Sequence, residues 1–444
     1  MIGRLVVDLV RAAAASSLLL GVVACGVVSP PSETSRDGPQ GEVLPGPDLG
    51  PEDEIDGVDL RVEPDGRLHV VWREVDRRPD GTGLPEYRTL YLQAARDGAG
   101  WSGPEALPFR AQPRLVLAGG RPHALAGRRL ELARRAHDGA WERLGRLLPE
   151  ELPDAAAFDV AGAGDGFLVA VLARRGADGP LRVITFGDAG DPPLRRLAEH
   201  PPSPFEQPEP CLVVEGWRAH LVWAVNTPSR AGEGRGVGVV GRVFYAGSDD
   251  GGATWSPPVE VTAAAPEPPS TIAGVELVRD GDGLLSLYAS FGLHASGSVD
   301  GGEWSVPVRF SGISGSSLRG GTDVRSPTTA GNAVVWIDQR HRESDRRWWN
   351  PLGGFPWSDS PDWADNDLLL LPLDRVRRAL DAPPGAPEAE PRRLTPELAY
   401  VHRLRAASSP ERVYLLWSGR HPVGKARDSR GATPQLFLRR LPRR

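Results

Sequence analysis

The chain has 444 residues, 40% of them apolar, with 52 basic and 58 acidic side chains and a net charge of -6. That length holds a large core, and net acidity with the basic residues spread along the chain argues against general nucleic-acid binding. Two cysteines, Cys25 and Cys211, leave no room for a disulfide framework, because Cys25 carries a separate role described next.

In chain order, Arg4 and Arg11 precede or open an apolar stretch that runs to Ala24 and ends Val22-Val23-Ala24-Cys25. Small residues before a cysteine mark the cleavage site of a lipoprotein signal peptide, so residues 1–24 are expected to be removed and Cys25 to be lipidated. Asp8 and the two arginines make the segment a poor permanent span. Residues 25–53 are rich in Pro, Ser, Gly and Asp and read as a solvated tether. The expected location is the bacterial cell envelope, at the outer membrane or its periplasmic face, with the membrane as partner of the lipid. Residues 54–444 form the folded domain.

Within that domain one phrase recurs. The first copy, "VDLRVEPDGRLHVVWRE" followed by "TLYLQAARDGAGWSGPEAL", holds four short apolar runs separated by turn residues. The same order returns in "CLVVEGWRAHLVWAV" with "RVFYAGSDDGGATWSPPVEV", and in "AGVELVRDGDGLLSLYAS" with "GLHASGSVDGGEWSVPVRF". Shorter or divergent copies bring the starts to seven, near residues 57, 113, 155, 206, 269, 322 and 397. Short strands with turn signals at even spacing, repeated with a blade-like period, predict an all-β propeller of four-stranded antiparallel blades. Seven blades are expected. Six would result if the second or third unit were an elaborated neighbour. The last unit lacks a fourth strand, and "GEVLP" at 41–45 can supply it and close the ring. Helix-like stretches such as "LDRVRRAL" are short. Cys211 falls in the strand "CLVVEG" and is expected to be a buried, inert thiol.

The stretch Ser248-Asp249-Asp250-Gly251-Gly252-Ala253-Thr254-Trp255 resembles the Asp box of sialidases and related BNR-repeat propellers, matched at Ser248, Asp250, Gly252, Thr254 and Trp255. "SVDGGEW" at 298–304 is a near copy, and "RDGAGW" and "HDGAW" are decayed ones. These residues suit a turn: the carboxylate accepts the turn's own amides, glycine permits positive φ, and the indole packs between sheets. The resemblance implies a sialidase-like propeller whose 3–4 turns, Asp boxes included, face away from the ligand side.

Chemistry is therefore expected on the opposite rim, among the 2–3 loops. The insert at 337–367 between the second and third strands of the sixth unit carries Arg340, Arg346, Arg347, Trp348, Trp349, Trp357 and Trp363. Other long 2–3 loops bring Arg73 and Arg420, and Arg325 begins a first strand, as do Arg114 and Arg403. Guanidinium and indole around a concave mouth suit an anionic, ring-shaped ligand such as an acidic sugar. The structural alternative is an aromatic cap over the propeller. "Trp336-Ile-Asp338-Gln-Arg340" with "Asp365-Asn366-Asp367" also matches a W-x-D-x-R…D pattern of BNR-type repeats, in which the Asp and Arg brace the loop base.

Two functions stay open from sequence: a lipid-anchored propeller that binds a glycan or an envelope protein through its 2–3 loop face, and an exo-glycosidase of sialidase type. The resemblance implies, for an enzyme, three arginines on the substrate carboxylate, a tyrosine nucleophile activated by glutamate, and an aspartic acid as acid/base. The chain departs from that pattern, since no Arg-Ile-Pro occurs, and Tyr400 with Glu397 in "TPELAYVHRLR" matches no motif position. No catalytic residue is carried over. The sequence holds no metal-ligand motif and no cofactor loop, so neither a metal nor a cofactor is expected.

Overall fold

In the computed structural model the described residues are 42–46, 49–50, 53–77, 85–96, 100–151, 154–163, 165–173, 181–186, 194–198, 209–229, 238–269, 271–281, 283–290, 292–310, 324–338, 367–382, 391–394, 400–420 and 433–443. They form seven four-stranded antiparallel sheets. Six are built from four consecutive strands, as in blade one with Glu54–Val62, Arg67–Asp76, Glu86–Arg96 and Glu105–Ala106. The seventh is composite: Tyr400–Ser408, Arg412–Arg420 and Pro434–Pro442 are completed by the N-terminal strand Glu42–Val43. The fold is a seven-bladed propeller.

Closure works as the "GEVLP" segment predicts. Glu42 and Val43 pair with Leu438 and Phe437, and the Leu44 amide donates to Leu436 at 2.9 Å. Side chains secure the seam from both sides: Trp101 of blade one donates to Glu42 at 3.2 Å, and Arg440 of blade seven pairs with it at 2.6 Å. Leu44 and Leu49 are buried with residues of blades one and seven. The propeller thus takes in part of the span that composition alone reads as tether.

The first strand of each blade lies innermost. Glu54–Val62, Pro113–Ala118, Ala155–Ala163, Cys211–Glu215, Gly274–Asp280, Val324–Ala330 and Tyr400–Ser408 touch in that order, and the last touches the first. Between blades the core is aromatic. Trp72, Trp223, Trp336 and Trp417 occupy one position in the second strands of blades one, four, six and seven, and all are fully buried. Each packs on the preceding blade: Trp72 among Tyr414 and Leu416, Trp223 among Leu168 and Ala170, Trp336 among Leu285 and Leu287, Trp417 among Val335 and Ile337. These second strands continue past the tryptophan, in blade one to Asp76 and in blade seven to Arg420, so Arg73 and Arg420, expected in 2–3 loops, lie in strands. Backbone pairing sustains them after the apolar run ends. A short helix, α1 (Leu373–Leu380), follows the third strand of blade six and buries Leu373 and Val376 in the core shared with blade five.

The turns at the far ends of the blades also lock blade to blade. In the turn at 248–255, Asp250 accepts the Thr254 amide at 2.7 Å and its hydroxyl at 2.6 Å, and Trp255 donates to the Gly252 carbonyl at 3.1 Å. These bonds, the Thr254 hydroxyl first, hold the Asp250 carboxyl down at about 2. Gly252 has φ of 84°, and a side chain there would strike Leu168 of the preceding blade. In the next blade Gly301 stands in the same relation to Tyr245.

Candidate functional site

In an antiparallel blade the start of the first strand and the 2–3 loop share one rim, while the 1–2 and 3–4 turns share the other. At that first rim, four inner strands are irregular. Their registers shift between Asp56 and Asp59, Ala155 and Ala157, Arg325 and Thr328, and Val401 and Arg403. Bulges of this kind re-aim side chains at barrel rims and functional sites. Blades six, seven and one, which are neighbours in the ring, each place a charged residue at the bulge: Arg325, Arg403 and Asp56.

Asp56 is the centre of the mouth. Arg73, its cross-strand partner, forms a close ion pair with one carboxylate oxygen. The other oxygen takes Gln112 of blade two at 2.6 Å and Arg403 of blade seven at 3.4 Å. Gly57, with φ of 62°, makes the turn that permits this, because a Cβ there would press into Gln112 at 2.9 Å. Burial alone would raise the Asp56 carboxyl, but the Gln112 hydrogen bond and the charges of Arg403 and Arg73 outweigh it and hold the group below its ordinary value. Two guanidiniums therefore share one carboxylate. The Nε atoms of both have no hydrogen-bond partner among the described residues, and the Arg403 side chain keeps 41% of its exposure.

Beneath the mouth the channel is crossed by a second set of charges. Asp59 is fully buried and accepts the Leu115 amide of blade two at 2.7 Å, with Arg61 at 3.3 Å and Arg405 of blade seven at 3.8 Å. Glu209, just ahead of the first strand of blade four, takes Arg405 at 2.7 Å and a close contact from the buried Arg114 of blade two. Burial opposes ionisation of Glu209, yet Arg114, Arg405 and Arg403 bring its carboxyl down to about 2. Arg61 reaches the Val160 carbonyl of blade three at 3.5 Å. Because the Arg405–Glu209, Arg114–Glu209 and Arg61–Val160 contacts link blades that are not neighbours, these side chains bridge the channel.

A further relation repeats around the ring. A polar atom of one inner strand accepts an amide from the next: Asp59 from Leu115, Asp159 from Leu212 at 2.8 Å, Cys211 from Leu277 at 3.3 Å, and Glu276 from Thr329 at 3.2 Å. Burial pushes the Cys211 thiol well up, so it stays protonated and serves as a packing and accepting group. Burial likewise raises Asp159, and raises Glu276 to about 7.

Of the residues picked out from sequence, Arg73 lies at the mouth. Arg325 is the second residue of its inner strand, opposite Ile337, and Arg420 ends the second strand of blade seven opposite Tyr400, so both backbones reach the same rim. Trp336 is buried, and Asp338 pairs through its backbone with Asp367. Arg340, Arg346, Arg347, Trp348, Trp349, Trp357 and Trp363 lie outside the described residues, as does Cys25. The W-x-acid spacing has a described counterpart in blade one, where the Trp72 indole donates to Glu74 at 2.8 Å. Sequence reading passed over Asp56, Gln112, Glu209 and Arg405. The signal for Arg405 was a charge set inside an apolar first strand, as in "HRLRAA".

No family model matches the chain, and no curated protein matches it. Among solved structures it is similar to a protein of unknown function from Dyadobacter fermentans, at 13% identity and a TM-score of 0.46, over 90% of this chain and 97% of that one. It is also similar to the endosialidase of phage phi92, at 10% identity and a TM-score of 0.44 over 91% and 69% of the two chains. A third is an α-L-arabinofuranosidase of Fusarium graminearum, at 12% identity and a TM-score of 0.41 over 91% and 98%. At these identities and scores none of their activities transfers to this chain.

Proposed function

We propose that this protein is a lipid-anchored envelope propeller that binds an acidic glycan at the mouth on its 2–3 loop rim. The observation that carries the reading is the pairing of Arg73 and Arg403 with the single carboxylate of Asp56. Two fixed positive charges against one negative leave the mouth with a surplus that an anionic ligand neutralises, and a guanidinium offers two parallel donors to a carboxylate or sulfate. The side chains of Arg114, Glu209 and Arg405 that bridge the channel keep such a ligand at the rim, and the sequence between Asp338 and Asp367 carries four tryptophans. The anchor follows from the signal-peptide pattern ending at Cys25.

The test is binding of the detergent-solubilised protein to matched acidic and neutral oligosaccharides, with fluorogenic acidic glycosides assayed in parallel. Saturable binding of the acidic member alone, weakening with salt, supports the reading. Equal affinity for the neutral member contradicts it, and turnover of a fluorogenic substrate would replace binding by hydrolysis as the function.

A further inference from the structure

Among the described residues, the three most exposed large apolar side chains lie on the rim opposite the mouth: Trp217 and Val299 at 80% and Val306 at 58%. Trp217 stands in the 1–2 turn of blade four, between Glu215 and Arg218, while Val299 and Val306 belong to the 3–4 turn of blade five. The two turns are close together. The Trp217 indole covers Gly251 in the Asp box of its own blade, where an added Cβ would meet the ring at 3.3 Å, and the Trp217 carbonyl accepts the Gly251 amide at 2.7 Å. Gly301, shortly after Val299, packs on Tyr245 of blade four, and the charges of Asp249 and Asp300 both reach that tyrosine. Beside the indole, Arg218 pairs with Asp249 at 3.3 Å and Arg279 with Glu215 at 3.1 Å. The backbone of the turn is thus fixed and its indole is presented to solvent.

The N-terminal strand enters at this same rim. Glu42–Val43 runs antiparallel to Pro434–Pro442 as the fourth strand of blade seven, so it starts where the 3–4 turns lie, and Trp101, at the end of the 3–4 turn of blade one, donates to Glu42 at 3.2 Å. We propose that this rim rests on the membrane that holds the Cys25 lipid, with Trp217, Val299 and Val306 seated at the bilayer interface and the mouth opening away from it. The inference rests on the lipid-anchor reading above. Residues 26–41 separate Cys25 from Glu42, and a solvated linker of that length spans about 20–25 Å on average. The blades are taller: the third strand of blade one has 11 residues, roughly 35 Å at the rise of a strand. A lipid on so short a lead holds the rim it leaves from nearer the bilayer than the mouth. An indole, apolar in its body and polar at its N–H, suits the headgroup region. Because the charges beside it pair with one another, the contact is apolar and zwitterionic lipid is sufficient for it.

The experiment reconstitutes the full-length lipidated protein in phosphatidylcholine vesicles with an environment-sensitive fluorophore at Val299→Cys or, on the mouth rim, at Glu86→Cys, where the third strand of blade one starts. Cys211 is buried with its thiol protonated, and lipid blocks Cys25, so the introduced thiol alone takes the label. All the substituted side chains are exposed, and melting curves establish that the variants are folded. The label at 299 is expected to shift to the blue and to lose emission to nitroxide lipids labelled near the headgroup, while the label at 86 keeps its emission. Trp217→Ser, which leaves the backbone bond to Gly251 in place, should weaken the quenching at 299. Equal quenching at the two rims, or none at either, on vesicles that retain the protein overturns the docking and leaves the anchor standing. A blue shift at 299 without quenching assigns the patch to a protein surface, such as a second copy of this chain, and overturns it as well. Quenching at 299 that Trp217→Ser leaves unchanged contradicts the seating of the indole. Protein that does not stay with the vesicles and carries no acyl mass overturns both readings.

Discussion

Arg405 of blade seven reaches across the channel to Glu209 of blade four, with 2.7 Å between Nη2 and Oε2. The bond joins residues far apart in sequence and holds non-adjacent blades together from the inside. Glu209 also faces the buried Arg114, so Glu209→Gln leaves Arg114 without its counter-charge and Arg405 with Asp59 alone. A loss of about 2–3 kcal/mol is expected, below the value for a wholly buried pair because the Glu209 side chain keeps 42% of its exposure. Since its carboxyl is held near 2 in the folded protein, this contribution is present above its ordinary value and is lost as pH falls toward 2. Chemical denaturation of wild type and variant from pH 7 to pH 3 should converge as the acid is approached.

Gly57 couples backbone geometry to the mouth. Gly57→Ala meets both an unfavourable positive φ and the Gln112 side chain, and should cost about 1–3 kcal/mol. Displacing Gln112 frees Asp56 from one donor, so anion affinity should fall as well. A variant that melts and binds like wild type would show that the bulge does not position Asp56.

At the opposite rim, stability and binding should separate. Trp255→Ala removes a part-buried indole bonded to Gly252 and should cost about 2–4 kcal/mol. Asp250→Ala should lower the melting temperature through loss of the Thr254 bonds. Neither should change the affinity of the folded protein. A normally melting Asp250 variant that has lost binding would move the site to this rim.

Much of this architecture could be read in advance because it repeats. The turn glycines, the second-strand tryptophans and the orphan third strand at Pro434–Pro442 gave the blades and the closing strand, each through local pattern. The channel could not be read the same way. Arg403 meets Asp56 through ring closure and Arg405 meets Glu209 across the channel, and no periodicity in one strand encodes a partner in a distant blade. Arg73 was found because it follows a strand-two tryptophan onto the 2–3 rim. Asp56 was missed because an acid ahead of a glycine reads as turn chemistry, whereas here the glycine is a bulge inside a strand.

The anchor makes its own prediction. Wild-type protein should carry an acyl mass on a peptide beginning at Cys25 and partition into detergent, and Cys25→Ser should yield unmodified precursor or soluble product. An N-terminal peptide without acyl mass would remove the lipid from the account.

The central claim is that Arg73 and Arg403 hold an anionic ligand at the mouth. Isothermal titration of a uronic- or sialic-acid-terminated oligosaccharide into wild type, Arg73→Gln and Arg403→Gln tests it most directly. Each variant is expected to lose roughly 10- to 100-fold in affinity, as befits a charge-assisted pair, and to show a shallower salt dependence. Arg403→Gln, folded and binding with unchanged affinity and unchanged salt dependence, would contradict the account.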